Sequence, residues 1–253
     1  MTGDDRTEVA RRALACLDLT NLDDNCTDAD IDRLCERAVT PHGPVAAVCI
    51  WPRFVAQARE RLEATPVRVA TVVNFPGGDE TLDAILSETN QAMVDGADEI
   101  DMVITYRRIA DTPGEAGDQI ARVREAVHGG TLKVILETGE LKDAALIRKA
   151  SDIAIGAGAD FIKTSTGKVP VNATPEAARI MLTVIAEHGA GTGFKAAGGV
   201  RSVDDAAVYL GLADELLGAG WATPKTFRFG ASGLLDALLA ELEGRTAETR
   251  DGY

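Results

Sequence analysis

The 253-residue chain sets 26 Lys and Arg against 40 Asp and Glu, a formal charge of −14, and 45% of its residues are hydrophobic. That length suits one barrel-sized α/β domain or two small ones with a sizeable core, and the acidity argues against a nucleic-acid partner. No apolar run approaches the ~20 residues that span a bilayer, and the start, Met1 to Arg6, lacks a signal-peptide apolar stretch, so a cytoplasmic protein without membrane contact is expected.

Residues 5–16 and 28–39 read as amphipathic helices, the second capped by Thr27 with Ile31, Leu34, Cys35, Ala38 and Val39 on one face. Asp18-Leu19-Thr20 between them reads as an irregular polar link. Cys16, Cys26, Cys35 and Cys49 show no C-x-x-C spacing, and His42, His128 and His188 show none of the spacings of a zinc site. Reduced core thiols and chemistry without a metal or other cofactor are the expectation.

Beyond Pro41 short strands alternate with helices. Strands are predicted over residues 45–51, 67–73, 99–104, 132–137, 160–163, 193–197, 215–218 and 226–229. Helical patterns fall between them: Leu82, Ile85, Leu86 and Met93; Leu146, Ile147, Ala150, Ile153 and Ala154; and a helix opened by Thr174 and Pro175 and ended by Gly189. A last helix carries Leu234, Leu235, Leu238, Leu239 and Leu242 and ends at Gly244. This alternation predicts right-handed βαβ units, and eight of them make a (β/α)₈ TIM barrel with one or two extra N-terminal helices over residues 1–40. The alternative, an open doubly wound sheet, lacks here the G-x-G-x-x-G of its first turn. No Pro/Gly/Ser-rich linker divides the chain, so residues 1–253 are expected to form one domain, with 245–253 as a mobile tail.

Two strands break the rule that a sheet covered on both faces is apolar. Phe161-Ile162-Lys163 runs into Thr164-Ser165-Thr166-Gly167-Lys168, and Gly193-Phe194-Lys195 runs into Gly198-Gly199. A lysine at a strand tip is ordinarily one that snorkels to water; two of the same design imply a use. Period two turns Glu99, Asp101 and Val103 to one face of their strand, so Asp101 points inward if Ile100 and Met102 pack on the helices. Strands lie ~4.8 Å apart, which lets inward ammonium groups on neighbouring strands meet. A free lysine is neutral in only about one molecule in two thousand at pH 7, and a nearby cation and desolvation both favour the neutral, nucleophilic form. The chemistry predicted is a Schiff base on Lys163, activated by Lys195, with Asp101 as proton carrier. The same trio can also be read as an ion cluster that only fills the barrel. For an anion, the glycine turns offer Gly167 and Lys168, Gly198, Gly199 and Arg201, and Gly230 with Ser232, which also reads as a plain N-cap.

Several segments together carry a family resemblance: Asp18-Leu19-Thr20, Ala46 to Phe54, Val73-Asn74-Phe75-Pro76, Gly96 to Asp101, Leu136 to Leu141, Phe161 to Lys168, Phe194-Lys195, Gly198 to Arg201 and Arg228 to Ser232. The chain resembles the class I deoxyribose-phosphate aldolases along nearly its whole length. The resemblance implies metal-independent, reversible cleavage of 2-deoxy-D-ribose 5-phosphate to acetaldehyde and D-glyceraldehyde 3-phosphate. It places the Schiff base on Lys163, proton transfer on Asp101 and Lys195, substrate contacts at Asp18 and Thr20, and the phosphate near Gly198, Gly199, Gly230 and Ser232. Family members often end in a mobile tyrosine that assists proton transfer, which here is Tyr253. The chain departs from the pattern at Ala196, where proline is common, at Gly233, where a second serine is common, and at Pro44-Val45. A different phosphosugar lyase and a non-catalytic sugar-phosphate barrel are the competing classes. The Ala- and Leu-rich stretch 231–243 suits either a homodimer interface or the barrel's packing layer.

Overall fold

The structure, a computed structural model, describes residues 3–189 and 191–245. Its centre is a closed parallel barrel of β1 (Leu17–Asn21), β2 (Ala47–Ile50), β3 (Arg68–Val73), β4 (Glu99–Val103), β5 (Thr131–Ile135), β6 (Phe161–Lys163), β7 (Gly193–Ala197) and β8 (Phe227–Ala231). Each strand pairs with the next in the chain, and β8 pairs with β1 to close the ring. Around it run α1 (Gly3–Ala15), α2 (Asp28–Arg37), α3 (Val55–Leu62), α4 (Leu82–Val94), α5 (Pro113–Ala126), α6 (Ala144–Gly156), α7 (Pro175–Glu187), α8 (Val203–Leu217) and α9 (Leu234–Leu242). The (β/α)₈ expectation holds, and no helix among the described residues is long and apolar enough to cross a membrane.

Two predicted elements were exchanged. Asp18-Leu19-Thr20, which reads as an irregular link, lies within β1 (Leu17–Asn21), and residues 215–218, which read as a strand, are the end of α8 with Gly218 as its C-cap at φ 94°. The reason is local in both cases. Leu-Asp-Leu-Thr-Asn alternates with period two, but its inward-facing residue is the fully buried Asp18, so the alternation hides behind polarity. Glu215-Leu216-Leu217 is too short a run to tell a strand from a last helical turn. Helices α3, α5 and α8 were not among the predicted patterns. The count of eight strands therefore came out right with one member misplaced.

Helix ends follow their sequence signals. Thr27 and Asp30 form a reciprocal capping box on α2, and Thr81, Asp143, Thr174 and Ser202 cap their helices by accepting backbone N–H groups. Within stretch 231–243, Leu234, Leu235 and Leu238 are wholly buried, and α9 packs against α1. The apolar core lies between sheet and helices. A second, smaller apolar group, Leu22, Ala47, Cys49, Ala70 and Val72, gathers residues of β2 and β3 separately from it.

Register decides what enters the barrel. In a parallel pair, residues opposite each other face the same way, and Lys163 lies opposite Lys195, Lys195 opposite Arg228, and Asp101 opposite Lys133. Below Lys163, Phe161 lies opposite Gly193, and a Cβ at residue 193 would stand 2.4 Å from the Phe161 ring. Gly193→Ala should therefore overpack this layer and cost about 1–3 kcal/mol, measured by urea unfolding. A variant as stable as the parent would mean that the ring has room to turn aside.

Candidate active site

Seven ionisable side chains occupy the barrel interior: Asp18 from β1, Glu99 and Asp101 from β4, Lys133 from β5, Lys163 from β6, Lys195 from β7 and Arg228 from β8. Each is at most 5% exposed. Burial of isolated ions would be prohibitive, so each must find opposite charge within the cluster.

Asp101 is the hub. Its Oδ1 accepts from Lys133 Nζ at 2.6 Å, and its Oδ2 accepts from both Lys163 Nζ at 2.7 Å and Lys195 Nζ at 2.8 Å. Asp18 accepts from Lys195 at 2.5 Å and from Arg228 at 2.5 Å. Glu99 takes both guanidinium branches of Arg228, at 2.8 and 3.0 Å, and lies 2.6 Å from Lys133 Nζ. Gly230 makes room for this: a Cβ there would stand 2.9 Å from Lys195 Cε.

The four bases are not held equally. Lys133 reaches three carboxylates, and Lys195 and Arg228 reach two each. Lys163, among the described residues, pairs with Asp101 alone, and that oxygen is shared. The proton affinities follow the geometry. Burial disfavours the Lys163 ammonium, one shared carboxylate does not offset it, Lys195 adds repulsion, and the amine sits below its ordinary value of 10.5. Burial acts the same way on Lys133, Lys195 and Arg228, but their carboxylates overcome it and hold all three above their ordinary values. Burial would push Asp18 and Asp101 up, yet the surrounding cations keep both below the usual carboxylate range. Desolvation rather than the Lys195 charge is thus the first cause of the Lys163 shift.

The mouth above Lys163 is built from the turns that follow β5 and β6. Glu137 is buried with φ 57°, and its carboxylate accepts from the Thr166 N–H at 3.2 and 3.3 Å. Burial raises its pKa. A non-glycine residue in this conformation is strained and is often found at functional sites. Thr164 ties the turn to β7 by accepting from the Ala197 N–H at 3.0 Å. The Ser165 hydroxyl, two residues beyond Lys163, is buried without a partner among the described residues. Cys49 Sγ lies 4.0 Å from Asp101 Oδ2.

The residues expected around substrate are more scattered. Asp18 is occupied by Lys195 and Arg228, and Thr20 Oγ1 donates to the Asp18 carbonyl at 2.8 Å. Gly167 opens its turn at φ 86°, and Lys168 reaches across to Asp24 at 3.3 Å, with its ammonium over the Trp51 ring. The Gly198 N–H donates to the Gly230 carbonyl at 3.2 Å, and the Arg201 N–H donates to Asp205 at 3.0 Å, so both amides are engaged. Gly199, at φ 84°, faces open space. Ser232 is exposed and is not the N-cap of α9; Gly233 is, with no side chain closing the helix end. Tyr253 lies outside the described residues. Sequence reasoning missed Lys133, Glu99 and Arg228 as members of the site. The signal was present in a lysine inside Leu132-Lys133-Val134-Ile135 and an arginine between Phe227 and Phe229.

Among the described residues, no group of three or more His, Cys, Asp or Glu side chains could hold a metal ion. A model of the DeoC/LacD family aldolases matches residues 12–237. The chain belongs to the DeoC/LacD aldolase family. A deoxyribose-phosphate aldolase of Agrobacterium fabrum is 55% identical over 250 residues, which cover 97% of this chain and 96% of that relative. A crystal structure from Toxoplasma gondii superposes with a TM-score of 0.87 at 26% identity, covering 97% of this chain and 98% of that one. The tetrameric deoxyribose phosphate aldolase of Aeropyrum pernix does so at 0.78 and 25%, covering 94% of each chain.

The lowered Lys163 amine fixes the sign of a pH effect in this DeoC/LacD aldolase. Only the neutral amine attacks a carbonyl, so the rate of covalent trapping of a small aldehyde should rise with pH and reach half-maximum below 10.5. Rapid-quench borohydride trapping across pH checks this. A midpoint at or above 10.5 would show a lysine that burial does not perturb.

Proposed function

We propose that this chain reversibly cleaves 2-deoxy-D-ribose 5-phosphate to acetaldehyde and D-glyceraldehyde 3-phosphate through a Schiff base on Lys163. One observation carries the reading: of the four buried bases in the barrel, Lys163 is the one paired with a single, shared carboxylate, and it stands nearest the mouth turn. In the synthetic direction its neutral Nζ attacks acetaldehyde, and water leaves as the protonated imine forms. Loss of a proton from the methyl carbon yields an enamine, which adds to the carbonyl of D-glyceraldehyde 3-phosphate. Hydrolysis of the imine then releases the product.

Proton movement falls to Asp101 and Lys195. Their hydrogen bond at 2.8 Å makes them one relay, and the Lys163 nitrogen sits 2.7 Å from the same oxygen. Asp18 serves by holding Lys195, and Thr20 by steadying the backbone of β1. The phosphate lies over the turns after β7 and β8, where Gly199, Ser232 and the uncapped start of α9 present backbone N–H groups and a positive dipole. Gly198 and Gly230 give that turn its close packing, Arg201 stands beside it, and Gly167 with Lys168 guards the opposite lip. Tyr253 assists proton transfer from the end of the chain. The enzyme works in the cytoplasm on these phosphorylated sugar and aldehyde substrates, as a homodimer. Residues 1–253 act as one domain.

Lys163→Ala should lower turnover by about 10⁴-fold or more, as loss of a covalent nucleophile does elsewhere. Borohydride reduction with acetaldehyde followed by peptide mass mapping should label Lys163 in the parent and nothing in the variant. Label on another lysine, or full activity in the variant, would remove the assignment, and turnover of a different phosphosugar alone would redirect the substrate.

A further inference from the structure

The cluster contains four bases and three carboxylates, one cation more than it can neutralise. Three lysines would match Asp18, Glu99 and Asp101 one for one. The excess comes from Arg228, whose guanidinium lies between Asp18 and Glu99 and stacks over the Phe161 ring at 5.5 Å. A guanidinium keeps its proton under all ordinary conditions, whereas a buried lysine can give one up. Resting on the Schiff-base reading above, we propose that Arg228 is a positioning residue for catalysis: by engaging Asp18 and Glu99 at the floor of the barrel it leaves too little negative charge for three ammonium groups, and Lys163, held by one shared oxygen, is the base that goes neutral.

Arg228 does not touch Lys163 and acts through the carboxylates. Were Arg228 uncharged, Asp18 and Glu99 would answer only to Lys195 and Lys133, leaving Asp101 more of its charge to hold Lys163 as an ammonium. The charged and titratable groups whose fields reach Lys163 most directly are Asp101 on β4, Lys195 on β7, Cys49 on β2 and Glu137 after β5. Asp18, Glu99, Lys133 and Arg228 lie one contact further out. Glu137 accepts from the Thr166 amide and makes no ion pair with Lys163 among the described residues, and the Cys49 thiol is neutral because burial raises its pKa.

The experiment removes each half of one ion pair. Arg228→Gln takes away a cation, and the acid limb of acetaldehyde trapping on Lys163 should move up by at least about one pH unit. Glu99→Gln takes away an anion, and the limb should move down. The double variant Arg228→Gln/Glu99→Gln restores the excess of one cation and should return the limb to within a few tenths of a unit of the parent. A purely structural pair predicts otherwise: both single variants lose melting temperature together and their limbs stay in place or move the same way. That outcome overturns the proposal while leaving the Schiff base intact, provided the parent is labelled on Lys163. If Arg228→Gln does not fold, Glu99→Gln and the double variant still carry the test, because only charge balance moves the first down and the second back. A parent that is not labelled at Lys163 overturns the underlying reading, and the proposal with it.

Discussion

A single carboxylate, Asp101, accepts hydrogen bonds from three ammonium groups inside a closed barrel, and most of the molecule can be understood as what that arrangement requires. A carboxylate offers about four acceptor sites, so three donors nearly exhaust it. The partners come from β4, β5, β6 and β7, while the second carboxylate, Asp18, and the arginine that binds it come from β1 and β8. The network therefore closes only when the barrel closes. Charge pairing in a low dielectric is costly to leave incomplete, so the same contacts that set the chemistry also oppose any partial opening of the seam between β8 and β1.

The barrel separates stability from reactivity by face. Outward residues of the strands, such as Ile100, Met102, Phe194, Phe227 and Phe229, pack on the helices with no exposed surface. Inward residues on β4 to β8 carry charge, while those on β2 and β3, Ala47, Cys49, Ala70 and Val72, are small and nearly apolar. Glycine appears inside where a side chain would collide: Gly193 beneath the Phe161 ring, and Gly230 beside the Lys195 stem. Both positions fix where a neighbour lies: the Phe161 ring, over which the Arg228 guanidinium sits, and the Lys195 stem. Packing thus helps to place two of the buried cations.

What the sequence revealed and what it hid follow from the same division. Strands covered by helices on one side announced themselves through outward apolar residues, and the two lysines at strand tips stood out because nothing apolar explains them. Asp18 had the opposite effect. Its polarity made Leu17–Asn21 look like a link, because an inward polar residue erases the alternation by which strands are recognised. Lys133 and Arg228 escaped for a different reason: each sits singly among apolar neighbours, and no local pattern distinguishes a buried cation from one that reaches solvent. Their meaning depends on register across four strands, Asp101 opposite Lys133 and Lys195 opposite Arg228, which no single segment encodes.

The lip of the barrel obeys looser constraints than its floor. On the floor the charged groups pair with one another, so a substitution leaves a buried charge with fewer partners. At the lip, where the phosphate is proposed to sit, the start of α9 at Gly233 has no side chain closing it. A serine there would add one hydroxyl donor, but the amides and the helix dipole that attract an anion do not depend on that side chain. Departure from the common family pattern at residue 233 is tolerable for this reason, whereas the charged floor offers no such latitude. In the proposed mechanism, chemistry and the anchoring of substrate are thus carried by different parts of the same polypeptide: charged side chains below, and main-chain dipoles above.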